Sequence, residues 1–223
     1  MKGKVSEVFR SMQGEGLYLG EEQLFVRFYG CNMQCRFCDT RIDSFLEYEP
    51  EELFNEIKLY GRDFNSIAFT GGEPLLQKDF LKEILKITSR QRYKNYLETN
   101  GTLPEALEEV IQYIDVVAMD IKLPSSTGAG EFWPKHEDFL RIAQKKDMFV
   151  KAIIGSSTTQ EDLLRAAGLF QKTKSSSILI LQPDSNEEPR LLEEKMGIFR
   201  DLCRKENVTA CIIPQVHKIV GLR

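Results

Sequence analysis

Leu24-Phe25-Val26-Arg27-Phe28-Tyr29-Gly30 runs directly into Cys31-Asn32-Met33-Gln34-Cys35-Arg36-Phe37-Cys38. An apolar run of strand length ends on glycine, and three cysteines follow within one short loop. Thiolates this close are soft ligands, suited to zinc or to an iron–sulfur cluster. Their number is informative. A closed structural zinc site takes four protein ligands, whereas a cubane held by three cysteines leaves one iron for a ligand that is not protein. The competing readings are a zinc knuckle and a redox-active Cys35-x-x-Cys38 pair. Zinc finds no fourth ligand nearby, since the histidines are His136 and His217, and a dithiol pair leaves Cys31 without a role.

Outward from this loop the chain alternates strand and helix patterns. A weak alternation over Lys4–Phe9 predicts a short strand, and Gly14, Gly16 and Gly20 punctuate the loop after it. Pro50 opens a helix with Leu53, Phe54 and Ile57 on one face. A strand over 66–69 runs into Thr70-Gly71-Gly72-Glu73-Pro74, and the next helix carries the stripe Phe80, Leu81, Ile84, Leu85, Thr88. Strand 95–98 runs into Thr99-Asn100-Gly101, with Thr102 and Glu105 as a capping box. Strand 115–121 precedes a long loop, 122–135, and a helix over 136–145. Strand 148–154 leads to a second capping box, Thr158 with Glu161, and strand 177–181 ends at Gln182-Pro183. A helix over 189–205 and a strand over 208–213 close the pattern.

Such alternation predicts an α/β fold with parallel strands. The 223 residues are few for an eight-fold barrel, so the expected architecture is a partial, open parallel β/α barrel forming one domain over 1–223. Glycines, prolines and polar residues gather after strand ends, at 31–40, 70–74, 99–101, 122–125 and 182–185. Those are the ends where parallel α/β folds place ligands. Thirty basic against 34 acidic residues leave a net charge of -4, which gives no general attraction to nucleic acid. The N-terminus lacks the apolar core of a signal peptide and no apolar run reaches membrane-spanning length, so a cytoplasmic protein with reduced thiols is expected. Cys203 and Cys211 sit in apolar patterns and read as core.

The CxxxCxxC loop after a first strand resembles that of the radical S-adenosylmethionine (SAM) superfamily. Ser11-Met12-Gln13-Gly14-Glu15-Gly16 and Cys38-Asp39-Thr40 narrow the resemblance to its 7-carboxy-7-deazaguanine synthase family. The resemblance implies a [4Fe–4S] cluster on Cys31, Cys35 and Cys38, with SAM on the fourth iron. It implies SAM contacts from Gly72 and Glu73 of the Gly-Gly-Glu-Pro motif, from Gly101, and from two loop segments. These segments are Lys122, Pro124 and Ser125, and Gln182, Pro183, Asp184 and Ser185. Phe37 either faces the adenine or packs beneath the loop. Met12, Gln13, Gly14, Glu15 and Thr99 are implied for a 6-carboxy-5,6,7,8-tetrahydropterin substrate. Arg27 is implied for its carboxylate, since the guanidinium fork matches one; the alternative is an ordinary salt bridge.

The resemblance further implies Mg²⁺ on Thr40, with Asp39 nearby, and a C-terminal tail that closes the active site with the carboxylate of Arg223. It implies a homodimer, and an electron donor such as flavodoxin or ferredoxin. The implied activity is a lyase reaction of queuosine and deazapurine biosynthesis, with no catalytic side chain beyond cluster and SAM. Two rival readings share the cysteine loop: a glycyl-radical-enzyme activase, which would not need the Gln-Gly-Glu-Gly stretch, and an Fe–S electron carrier, which usually ligates all four irons.

Overall fold

The computed structural model describes residues 1–38 and 43–221. Asp39, Thr40 and Arg223 lie outside the described residues. The strands are β1 (Gly3–Met12), β2 (Glu22–Phe28), β3 (Leu46–Tyr48), β4 (Ser66–Gly71), β5 (Asn95–Thr99), β6 (Val116–Asp120), β7 (Asp147–Ile154), β8 (Leu179–Pro183) and β9 (Ala210–Ile212). Among the described residues they form one sheet of nine strands in the order β3-β1-β2-β4-β5-β6-β7-β8-β9. From β2 to β9 every pairing is parallel. The two edges are β3 and β9, so the sheet is open, as expected for a partial barrel.

The departures lie at the first edge. β1 is ten residues long and antiparallel to β2, and β3 adds a second antiparallel edge. A three-residue strand with two exposed positions carries too little pattern to be seen in sequence.

The helices are α1 (Pro50–Leu59), α2 (Lys78–Arg90), α3 (Pro104–Val110), α4 (Pro124–Thr127), α5 (Trp133–Ala143), α6 (Gln160–Thr173), α7 (Pro189–Lys205) and α8 (Val216–Val220). α2 buries the predicted stripe of Phe80, Leu81, Ile84, Leu85 and Thr88. Each of its large apolar side chains contributes about 1.5–3 kcal/mol on burial. Four helices begin with proline, whose fixed φ and missing N–H suit a first turn. Neither predicted capping box forms. Leu103 precedes α3, because the Thr102 hydroxyl is taken up by Asn100 and Asn32. Thr159 caps α6 through the Asp162 N–H, while Thr158 binds the Gly155 N–H one turn earlier. The long loop after β6 also contains the short α4, and α5 starts at Trp133 rather than His136.

Side chains alternate across a strand, so each strand serves two faces. Leu24, Val26, Phe28, Ile67, Phe69, Leu97, Val117 and Val150 join the helices in the large core. Phe25, Ala68, Tyr96, Ala118, Phe149 and Ile180 form a second apolar layer on the opposite face. One step further toward the strand C-termini, that same face turns polar.

Candidate active site

The polar step is a ring of side chains. Two residues beyond Phe25 stands Arg27; beyond Ala68, Thr70; beyond Tyr96, Glu98; beyond Ala118, Asp120; beyond Phe149, Lys151; beyond Ile180, Gln182. All six line one cavity of about 850 Å³, near the upper end of the usual volume for small-molecule sites. The apolar layer is its floor, and the N-terminal loop seals part of that floor. Tyr18 packs edge-on to Tyr96 with centroids 5.4 Å apart, and a Cβ on Gly16 would overlap the Phe149 ring.

Within the ring the charges are arranged in pairs. The Arg27 Nε donates to Glu7 at 2.6 Å, and its guanidinium lies over the Phe9 ring. Thr70 donates to one Glu98 oxygen at 2.7 Å and Gln13 to the other at 2.9 Å. Lys122 pairs with Asp120 at 2.9 Å and lies over the Phe37 ring. Lys151 pairs with Glu15. Burial pushes the Glu15 carboxyl up, but the Lys151 charge and hydrogen bond, helped by Gln215 and His217, bring it down to about 2. Two groups are left with unmet capacity. Among the described residues, Asp120 Oδ1 and both amide atoms of Gln182 are buried without a partner. Buried polar atoms are normally satisfied, so orphaned ones facing a cavity mark where a ligand's polar atoms fit.

The cysteine loop forms the open side. Cys31, Cys35 and Cys38 all line the cavity, and none is in a disulfide. Burial pushes the Cys31 and Cys35 thiols up, which a cationic metal group would offset. Among the described residues no His, Cys, Asp or Glu trio is drawn tightly enough for a single ion. Three sulfurs spread around one wall suit a larger soft group, and a four-iron cluster fits them. The loop is anchored by close backbone approach. Glu73 N donates to Gly30 O at 2.8 Å. A Cβ on Gly72 would lie 2.1 Å from Gly30 O, and one on Gly71, at φ +137, would lie 2.2 Å from Phe28 O. Only glycines allow this contact.

Most of the sequence-predicted residues come together here. Met12, Gln13, Gly14, Glu15 and Arg27 line one side, and Thr99, Phe37, Gly72, Lys122, Gln182 and Asp184 another. Six do not reach the cavity. Glu73 is fully buried and accepts from Leu75 N, Asn100 N and Thr99 Oγ1, so it ties two strand ends together. Burial pushes its carboxyl up to about 7 against those hydrogen bonds. Gly101 is buried against Met119 at φ +68. Pro124 opens α4, and the Ser125 N–H and hydroxyl are taken by Asp162 and Thr159. Pro183 ends β8 beside Ile154, and the Ser185 hydroxyl accepts from Lys218 at 2.6 Å.

The sequence reading missed Glu7, Thr70, Glu98, Asp120 and Lys151. For Thr70, Glu98 and Asp120 the signal was a polar residue at the last inward position of an apolar strand, whereas Glu7 and Lys151 stand within β1 and β7. It also left Gln215 and His217 without individual roles. Gln215 donates to Glu15 at 2.6 Å, Val216 N donates to Gly14 O at 2.9 Å, and the side chains of Gln215 and His217 face the cavity.

The family model described as the Radical SAM superfamily matches residues 25–194. The 7-carboxy-7-deazaguanine synthase of Geobacter sulfurreducens is 34% identical, over 98% of this chain and 97% of that protein. That of Archaeoglobus fulgidus is 31% identical over the full length of both. Among solved structures, QueE from Escherichia coli matches with a TM-score of 0.68 at 20% identity, over 95% of this chain and 94% of that one. At that identity the likeness establishes the fold.

Proposed function

Because the chain belongs to the radical SAM superfamily and, within it, to the 7-carboxy-7-deazaguanine synthase family, we propose that it converts 6-carboxy-5,6,7,8-tetrahydropterin to 7-carboxy-7-deazaguanine with loss of ammonia. The observation that carries this reading is one cavity that holds both the three cysteines and a ring of polar side chains with Arg27 in it. When bound, a [4Fe–4S] cluster with SAM would supply one-electron reduction and radical hydrogen-abstraction chemistry.

The chain's own residues bind, orient and exclude water. Cys31, Cys35 and Cys38 would hold three irons. Arg27 offers its fork to the substrate carboxylate, with Glu7 and Phe9 fixing its plane. Gln13, Glu15 and Thr99 stand along the wall that would face the pterin edge. Phe37, Lys122, Gln182 and Asp184 stand along the wall that would face SAM. The Gln182 amide can meet donor and acceptor atoms alike, because it has no other partner among the described residues. The C-terminal segment closes the site over the N-terminal loop. Finer parts of the same reading are Mg²⁺ between Thr40 and substrate, a homodimer of single-domain subunits, and reduction by flavodoxin or ferredoxin. No helix among the described residues is long and apolar enough to cross a membrane.

Anaerobic turnover tests the reading. The reconstituted protein with SAM, Mg²⁺, a strong reductant and the carboxytetrahydropterin should yield 7-carboxy-7-deazaguanine by mass. Deoxyadenosine without that product would retain a radical enzyme and overturn the substrate; neither product with an intact cluster would favour an electron carrier. A carboxylate-binding Arg27 also makes Arg27→Met raise KM by about 10–100-fold, the worth of hydrogen bonds to a charged group. Arg27→Lys should recover little, since the fork is lost. A KM unchanged in both would return Arg27 to a plain ion pair with Glu7.

A further inference from the structure

Asn100 has every polar atom engaged, and it links three strand ends. Its N–H donates to Glu73 Oε2 at 2.8 Å, and its carbonyl oxygen lies 3.3 Å from His136 Nε2. The side chain belongs to a closed ring of hydrogen bonds. Asn100 Nδ2 donates to Asn32 Oδ1 at 2.8 Å, Asn32 Nδ2 donates to the Thr102 hydroxyl at 2.8 Å, and that hydroxyl donates back to Asn100 Oδ1 at 2.6 Å. The ring has one direction. Thr102 N, which can only donate, also binds Asn100 Oδ1 at 3.0 Å, so the amide cannot be turned over without facing donor against donor. One Nδ2 hydrogen is used by Asn32. The other is aimed at Cys31 Sγ, 4.0 Å away.

A neutral N–H aimed at a metal-bound thiolate favours the more negatively charged, reduced state of the metal group. Asn100 is 5% exposed and Thr102 fully buried, so the donor side of this contact is held in a largely dry setting, while Cys31 faces the open cavity. We infer that Asn100 is a positioning residue that raises the reduction potential of the group held by Cys31, through an amide whose direction is locked by Asn32 and Thr102. The inference rests on the three cysteines being cluster ligands, and it gives Asn100 a part in electron acceptance rather than in holding SAM or substrate.

The test is an EPR-monitored redox titration of the reconstituted cluster, without SAM or substrate, in the unmodified protein, Asn100→Ala and Thr102→Val. With iron content matched, Asn100→Ala should titrate at more negative potential, with about fivefold less reduced cluster at a fixed potential, the worth of one modest hydrogen bond. Thr102→Val keeps Asn100 and the Thr102 N–H that sets its direction but opens the ring at the hydroxyl, which loosens the amide, and should shift the titration the same way by less. An unshifted Asn100→Ala titration at full iron content overturns the inference. Should Asn100→Ala lose its iron, Thr102→Val decides: a shift to more negative potential supports the inference, and an unshifted curve overturns it. Failure of the cluster reading itself would look different, since the unmodified protein would then hold no iron.

Discussion

Replacing Cys35 with alanine should reduce turnover to background, a loss of about 10⁶-fold or more, the lower end of enzymatic rate enhancement. The size follows from where the chemistry resides. No described side chain in the cavity substitutes for an iron–sulfur group as an electron source, because ring residues such as Arg27, Glu98, Lys151 and Gln182 offer charge and hydrogen bonds but carry no redox-active group. The same loss is expected for Cys31→Ala and Cys38→Ala, since a cubane with two protein ligands has two open irons. Iron content and the visible absorption of the reconstituted protein should fall with activity. Cys203→Ala is the control. That thiol is 1% exposed, on the buried face of α7 with Leu192, Met196 and Phe199. Its loss should lower stability by about 1 kcal/mol and leave iron content unchanged. A Cys35→Ala protein that keeps its iron and its turnover would remove the cluster loop from the mechanism.

How the sequence reported this architecture depends on the range over which each signal acts. The cysteine loop was legible because ligand spacing is local: three thiols within eight residues constrain one another before any folding is considered. The stripes of α2 and α7 were legible because helical period and burial coincide. The polar ring was not. Strands of a parallel sheet covered on both faces read as continuous apolar runs, so Glu98, Asp120 and Lys151 looked like isolated exceptions. Their common face appears only when the strands are placed side by side, with Asp120 opposite Lys151 and Ala118 opposite Phe149. Glu73 departs in the opposite sense. Its motif marked it for a ligand, but three donors from its own turn and from the end of β5 enclose the carboxylate. Thr102 illustrates the same competition. Its hydroxyl suited a helix cap by sequence, and a ring closed by Asn32, 70 residues away, claimed it.

Lys151→Met should destabilise the fold by about 3–5 kcal/mol, the cost of breaking a buried ion pair and leaving one charge behind. Lys151 stands in the middle of β7, and the Lys151 and Glu15 side chains are only 8% and 15% exposed. The pair spans 136 residues of chain, and the second Glu15 oxygen accepts from Gln215, so one carboxylate fastens the N-terminal loop to both the sheet and the C-terminal segment. Urea unfolding at neutral pH measures the loss. Proteolysis of the C-terminal segment should accelerate in step, because Gln215 then holds a carboxylate no longer fixed by Lys151. The double variant Glu15→Gln with Lys151→Met should recover most of the stability, since neither charge is then left buried alone.

The pair also predicts a pH dependence of definite sign. Glu15 titrates at about 2 in the folded protein against 4.5 ordinarily. A carboxyl depressed on folding stabilises fully above its unfolded value, and that contribution, about 3 kcal/mol, is lost as pH falls from about 4.5 through about 2. Lys151 is raised on folding, so its share is intact below its ordinary 10.5 and fades only as pH rises beyond that value. The stability difference between the unmodified protein and Glu15→Gln should therefore be flat from about pH 5 to 10 and shrink toward acid. A difference that stays constant down to pH 2, or a double variant that loses as much as the two single variants summed, would mean that Glu15 and Lys151 do not act as a pair and that the C-terminal segment is held by other contacts.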